Sequence, residues 1–117
     1  MTEEFAKLLQ DLGGAMYRQI VADMAGQPWT SAVLDARYAT GGESWQARLR
    51  VTTDDPQPTK LAVADELGGI LTALGSQRRL FANQWHGLLL TQGADRNCKL
   101  TFNVDPACAQ DPAFLND

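Results

Sequence analysis

One stretch of the chain constrains its fold more than any other: residues 85–105, which read WHGLLLTQGADRNCKLTFNVD. Its two halves each alternate apolar with polar or small residues, as strands with one buried face do. The residues between the halves, 92–97, are of types that tolerate turn geometry. The pattern therefore predicts two antiparallel neighbouring strands, with His86 and Cys98 on their apolar face.

A second hairpin is predicted earlier in the chain. Apolar residues alternate with polar ones over residues 29–38 and again over residues 44–51, and the glycine-containing segment 40–43 separates the two runs. One face of each strand is expected in the core. The other face is expected to contact solvent or a partner.

Two amphipathic helices are predicted, one ahead of each hairpin. Residues 3–26 carry apolar side chains at three- and four-residue spacing. The second helix is expected after the break at 54–59, where Pro56 or Pro58 suits the first turn of a helix. Its apolar stripe runs to Leu74.

The resulting order of elements is α-β-β-α-β-β. It predicts one α+β domain over residues 1–105, in which a four-stranded antiparallel sheet has two helices packed on one face. A length of 117 residues suits a single domain. Residues 106–117 are expected to form an acidic C-terminal tail, because Asp111 and Asp117 lie there and no lysine or arginine follows Lys99.

Composition argues against several classes of function. Fourteen acidic and ten basic residues give a net charge of -4, whereas binding to nucleic acid needs a clustered basic surface. No apolar run is long enough to span a membrane, and the acidic start differs from a secretory signal. We therefore expect a cytoplasmic protein with no nucleic-acid or membrane partner.

The two cysteines lack the spacing of a zinc site and are too few for a disulfide scaffold. Cys98 is expected in the core and Cys108 as an exposed thiol. His86 is the only histidine and is interpreted as structural, although Cys98 could approach it across the hairpin. Because no nucleophile motif accompanies either residue, no cofactor, metal or enzymatic activity is expected.

The polar face of the first hairpin is the candidate binding surface. Arginine is enriched at protein interfaces, and Arg37, Arg48 and Arg50 share this face. The alternative is a solvated face on which Asp35 pairs with an arginine across the strands. The sequence leaves both interpretations open.

The chain also resembles the YezG-like group of small bacterial immunity proteins, which are antitoxins of polymorphic and contact-dependent toxin systems. The resemblance lies in MYRQI at 16–20, Trp29 before the first strand, WHGLLL at 85–90, and CKLTFNVD at 98–105. It implies a cytoplasmic, non-enzymatic protein that binds a cognate toxin and blocks the active site of that toxin. The expected partner contacts are Asp35, Arg37, Arg48, Arg50, Asp105 and Asp111.

Two other functions are compatible with the sequence. A type III secretion chaperone would also be small, acidic and α+β, and it would be a homodimer that binds an unfolded effector segment. A small-ligand-binding or catalytic domain would need a pocket around His86 and Cys98.

Overall fold

The computed structural model describes residues 3–39, 44–78 and 84–115. The predicted turn at 40–43 and the tail residue Asp117 lie outside the described residues. The elements in chain order are helix α1 Glu3–Met24, strands β1 Ser31–Tyr38, β2 Trp45–Thr52 and β3 Thr59–Leu61, helix α2 Asp65–Gln77, strands β4 Gly87–Gly93 and β5 Cys98–Asn103, a 3-10 helix Pro106–Gln110, and a short helix α3 Pro112–Leu115.

The strands form one antiparallel sheet in the order β3-β2-β1-β4-β5. Both predicted hairpins are present, since β1 pairs with β2 and β4 pairs with β5. β1 also pairs with β4 and thereby joins the two hairpins. The α+β class is confirmed.

The expectations of four strands and of the order α-β-β-α-β-β were wrong. The additional strand, β3, lies where we expected the start of the second helix, and Leu61 of β3 pairs with Leu49 of β2. Three residues are too few to display an alternation in the sequence. Helix α2 begins later, at Asp65, and its N-cap residue Ala64 provides no side-chain cap. In the turn before β3, the Asp55 carboxylate accepts a hydrogen bond from the Gln57 amide.

The core lies between the two long helices and the apolar side of the sheet. α1 packs beside α2, and the alternate residues of β1 are completely buried. Trp85, which precedes β4, is 2% exposed. Its ring lies among those of Tyr38, Phe102 and Phe5, at centroid distances of 5.2, 5.0 and 6.2 Å. This aromatic cluster joins both hairpins to α1. The completely buried aliphatic side chains include Leu12, Met16, Ile20, Leu34, Leu49, Leu71 and Leu74.

The environments of the two cysteines are the reverse of the expectation. Cys98 is exposed at the start of β5, whereas Cys108 is buried in the 3-10 helix. The His86 amide donates to the Asn103 carbonyl, while Cys98 pairs with Gln92 at the opposite end of the hairpin. His86 and Cys98 therefore lie at opposite ends of β5. The residue spacing of a strand puts them about 17 Å apart. The possibility of a site shared by these two residues was therefore wrong.

Among the described residues, no helix combines the length and the apolar character that crossing a bilayer requires.

Candidate functional site

The side of the sheet that faces away from the core, here called the open face, carries the charged residues that the sequence singled out. Directly opposite residues in antiparallel strands lie side by side on the same face. The pairs on the open face include Asp35 with Arg48, Val33 with Arg50, Arg50 with Lys60, Arg37 with Gly87, and Thr91 with Lys99.

The open face is basic although the chain as a whole is acidic. Five of the nine lysine and arginine residues that the structure describes lie on this face. Within the five described strands, Asp35 is the only acidic residue. The face therefore concentrates positive charge in a protein whose net charge is -4. The five cations are Arg37, Arg48, Arg50, Lys60 and Lys99.

An ion-pair network surrounds Asp35. Arg37 donates to both carboxylate oxygens of Asp35, from Nε to Oδ1 and from Nη2 to Oδ2, each at 3.1 Å. Arg48 Nη2 lies 3.6 Å from Asp35 Oδ2, which is the cross-strand pairing that the sequence offered as an alternative. Hydrogen bonding of the Arg37 guanidinium to the Asp35 carboxylate is the main cause that raises the pKa of Arg37. The network thus holds two guanidinium groups in fixed positions.

Residues 106–115, here called the C-terminal segment, pack over one end of the open face. The Phe114 ring is buried, and its centroid lies 4.3 Å from the guanidinium carbon of Arg37 and 4.5 Å from that of Arg48. Arg37 Nη1 also donates to the Cys108 carbonyl at 2.8 Å and lies 3.4 Å from Asp111 Oδ2. The segment therefore binds the open face through an aromatic ring, a carbonyl and a carboxylate.

The N-terminal end of the C-terminal segment is fixed by Asp105 and Gly87. The Asp105 carboxylate accepts a hydrogen bond from the Ala107 amide at 2.9 Å and caps the 3-10 helix. A Cβ atom on Gly87 would lie 3.3 Å from Cys108 Sγ, so a glycine here allows Cys108 to approach the sheet closely. The domain boundary after residue 105 stays a prediction.

Two depressions mark the rest of the open face. The first, here called the basic groove, has a volume of about 310 Å³ and lies between β1, β2 and β3. The second has a volume of about 370 Å³ and adjoins Leu89 and Val104, which are 39% and 60% exposed. Cationic and apolar surfaces thus lie next to each other. The residues that line the basic groove include Val33, Asp35, Arg48, Arg50, Pro58 and Lys60.

The structure brings four of the six predicted contact residues into direct contact. They are Asp35, Arg37, Arg48 and Asp111. Arg50 lines the basic groove, and Asp105 serves as the cap of the 3-10 helix. Their role in binding a partner stays a prediction.

Sequence reasoning missed Lys60 and Phe114. Lys60 was missed because its segment was interpreted as the start of a helix. Phe114 was missed because the surrounding acidic, proline-containing segment suggested a tail. The presence of an aromatic residue in that polar segment was the available signal.

His86 has a structural environment away from the open face. Arg78 is 1% exposed and donates to the Trp85 carbonyl from Nε at 2.8 Å. Arg78 Nη2 lies 2.9 Å from His86 Nδ1, and because a guanidinium can only donate, Nδ1 must accept. Desolvation, followed by the positive charge of Arg78, lowers the pKa of His86. A neutral imidazole therefore joins the end of α2 to the start of β4.

The described residues contain no group of three or more histidine, cysteine, aspartate or glutamate side chains that could hold a metal ion. No protein-family model matches the chain, and no curated protein is significantly similar to it.

Proposed function

We propose that this chain is an immunity protein. It is a cytoplasmic, non-enzymatic protein that binds a cognate interbacterial toxin through the open face of its sheet and occludes the active site of that toxin. The observation that carries the proposal is the composition of this face, on which Arg37 lines the same depression as the exposed side chains of Leu89 and Val104. Arginine and apolar side chains in one patch are typical of protein interfaces.

The fixed positions of the arginines support binding by this face. Arg37 and Arg48 are held by Asp35 and by the Phe114 ring. Side chains that are ordered before binding lose less conformational entropy when a partner arrives. A partner therefore meets a preorganised pair of guanidinium groups.

The resemblance to YezG-like immunity proteins is the second support. Two residues that carry it have structural roles, because Trp85 lies in the aromatic core and Asp105 caps the 3-10 helix. A family of inhibitors can share such a framework while exposed side chains determine which toxin each member binds. On this proposal the specificity lies in Arg48 and Arg50 rather than in the resembling residues.

The test begins with the tagged chain expressed in its native cell, followed by mass spectrometry and sizing of what co-purifies. We expect a stoichiometric complex with a toxin domain. Expression of the chain should then restore growth to cells that produce this domain. Arg48→Glu should remove the protection, whereas Lys7→Glu, on the exposed side of α1, should retain it.

Two other results would contradict the immunity function or the role of the open face in it. A homodimer of the chain that holds an extended effector segment would identify a secretion chaperone. Protection that is unchanged in a folded Arg48→Glu variant would remove the open face from the mechanism.

A further inference from the structure

We infer that the basic groove binds an acidic segment of the partner protein, with partner carboxylates seated beside Arg50 and Lys60. This inference rests on the proposed function, because it names the chemistry of the partner surface that the open face recognises. The arrangement of charges in the groove and the contacts that the C-terminal segment makes support it.

The basic groove contains a like-charge pair in the sheet. Arg50 of β2 and Lys60 of β3 are directly opposite each other, and Arg48 lines the same groove. Like charges in this position are unfavourable in an antiparallel pair. Three cationic side chains and, among the described lining residues, the single carboxylate of Asp35 surround the groove. The described lining of the groove therefore carries an excess of positive charge, which an acidic segment of a partner would complement.

The C-terminal segment indicates which chemical groups this face accepts. At the neighbouring end of the open face, Arg37 lies 3.4 Å from the Asp111 carboxylate, and Arg37 and Arg48 contact the Phe114 ring. Arg48 belongs to both regions, since it also lines the basic groove. A partner segment with carboxylates and an aromatic residue would therefore extend contacts of a kind that the chain already makes.

The surroundings of the groove favour a short acidic peptide segment over a nucleic acid. The groove has a volume of about 310 Å³ and includes the carboxylate of Asp35. The turn beside it carries Asp54 and Asp55, both exposed. A nucleic acid is a long polyanion whose binding depends on an extended track of cations. The carboxylates at the edge of the groove would repel the phosphates of such a polymer.

The experiment measures binding by fluorescence anisotropy of a short labelled peptide in which glutamate alternates with phenylalanine. The same peptide with glutamine in place of glutamate is the uncharged probe. We expect the whole chain to bind the acidic peptide, with an affinity that falls as salt is raised, and to bind the uncharged peptide at least about tenfold more weakly.

Charge-reversal variants locate the site. Lys60→Glu and Arg50→Glu should each lower the affinity for the acidic peptide by about fivefold to tenfold. Lys7→Glu is the matched control, because it makes the same change in net charge at another exposed lysine. It should change the affinity less than about twofold. Circular dichroism of each variant reports whether the fold is retained, and Lys60→Gln provides a milder replacement.

Three results would overturn the inference: no binding of the acidic peptide, equal binding of both peptides, or equal losses in Lys60→Glu and Lys7→Glu. Tighter binding of a labelled single-stranded DNA oligonucleotide, lost in Lys60→Glu, would assign the groove to nucleic acid instead. Capture of a toxin whose affinity is unchanged by Lys60→Glu would leave the immunity function standing while removing the groove from it.

Discussion

At the scale of single residues, Arg37 organises the open face. Its guanidinium contacts the Asp35 carboxylate, the Cys108 carbonyl, the Asp111 carboxylate and the Phe114 ring. A planar group with five donors can make these contacts together, whereas the ammonium group of lysine acts as a point charge. Arg37 therefore links β1 to the C-terminal segment through several directional interactions.

His86 gives the first prediction at this scale, which concerns pH. Burial and the charge of Arg78 lower the pKa of His86 in the folded protein, while Asp105 opposes this shift more weakly. As pH falls below the unfolded value of about 6.5, the unfolded chain takes up this proton more readily than the folded chain. The contribution of neutral His86 to the free energy of unfolding is therefore complete above that value. It is lost as pH falls toward the pKa of His86 in the folded protein.

The variant His86→Gln tests this prediction, because glutamine offers Arg78 an acceptor that does not titrate. Urea unfolding of both proteins should be followed from neutral to mildly acidic pH. The wild-type protein should lose more free energy of unfolding than the variant over this range, while carboxylates contribute to both. Parallel pH dependences would show that His86 makes no contribution.

Residue patterns were sufficient to assign most side chains to a face, and burial along the chain was harder to predict. Alternation correctly placed Asp35, Arg37 and Arg48 opposite the core. It failed for Cys98, because the first residue of an edge strand lies at the border of the core and remains exposed. Cys108 is buried through contacts with residues distant in sequence, which local patterns do not reveal.

At the scale of elements, one aromatic side chain, Phe114, helps to hold the C-terminal segment on the sheet. Phe114→Ala removes the ring that contacts both guanidinium groups. Loss of about 2 kcal/mol of apolar burial and cation–π contact should favour detachment of the segment. Because Cys108 is 6% exposed in the attached state, its thiol reports the detachment.

The measurement is the rate at which Cys108 reacts with a disulfide reagent in a Cys98→Ser background, since Cys98 is itself exposed. Phe114→Ala should increase this rate by about tenfold or more. Val104→Ala is the control, because Val104 is 60% exposed and should leave the rate nearly unchanged. An equal rate in Phe114→Ala and wild type would refute the anchoring role of the ring.

The elements also differ in how far the sequence could predict them. β1, β2, β4 and β5 were expected because each has at least six residues over which alternation can appear. β3 has three residues and depends on pairing with β2, so its signal is not local. This error removed Lys60 from the predicted site, because a residue in the first turn of a helix would not lie opposite Arg50.

At the scale of the whole molecule, charge is divided between two sides. The exposed residues of α1 and α2 include Glu3, Glu4, Asp11, Asp65 and Glu66, whereas the open face of the sheet is basic. A net charge of -4 therefore describes neither side. The total charge follows from composition alone, whereas the separation of charge depends on the strand registers, including that of β3.

This division predicts opposite stability effects for the same substitution at two exposed lysines. Lys60 lies opposite Arg50, so Lys60→Glu replaces a repulsive pair with an attractive one and should raise the free energy of unfolding by about 0.2–1 kcal/mol. Lys7 lies one helical turn from Glu3 and Asp11, so Lys7→Glu should lower it by about 0.4–1 kcal/mol. Urea unfolding at low ionic strength measures the free energy of unfolding of both variants, and salt should reduce both differences from the wild-type protein.

A destabilised Lys60→Glu variant would mean that Lys60 supports the fold. A stabilised variant that has lost the acidic peptide would instead indicate that repulsion in the groove is retained for binding, at the expense of stability.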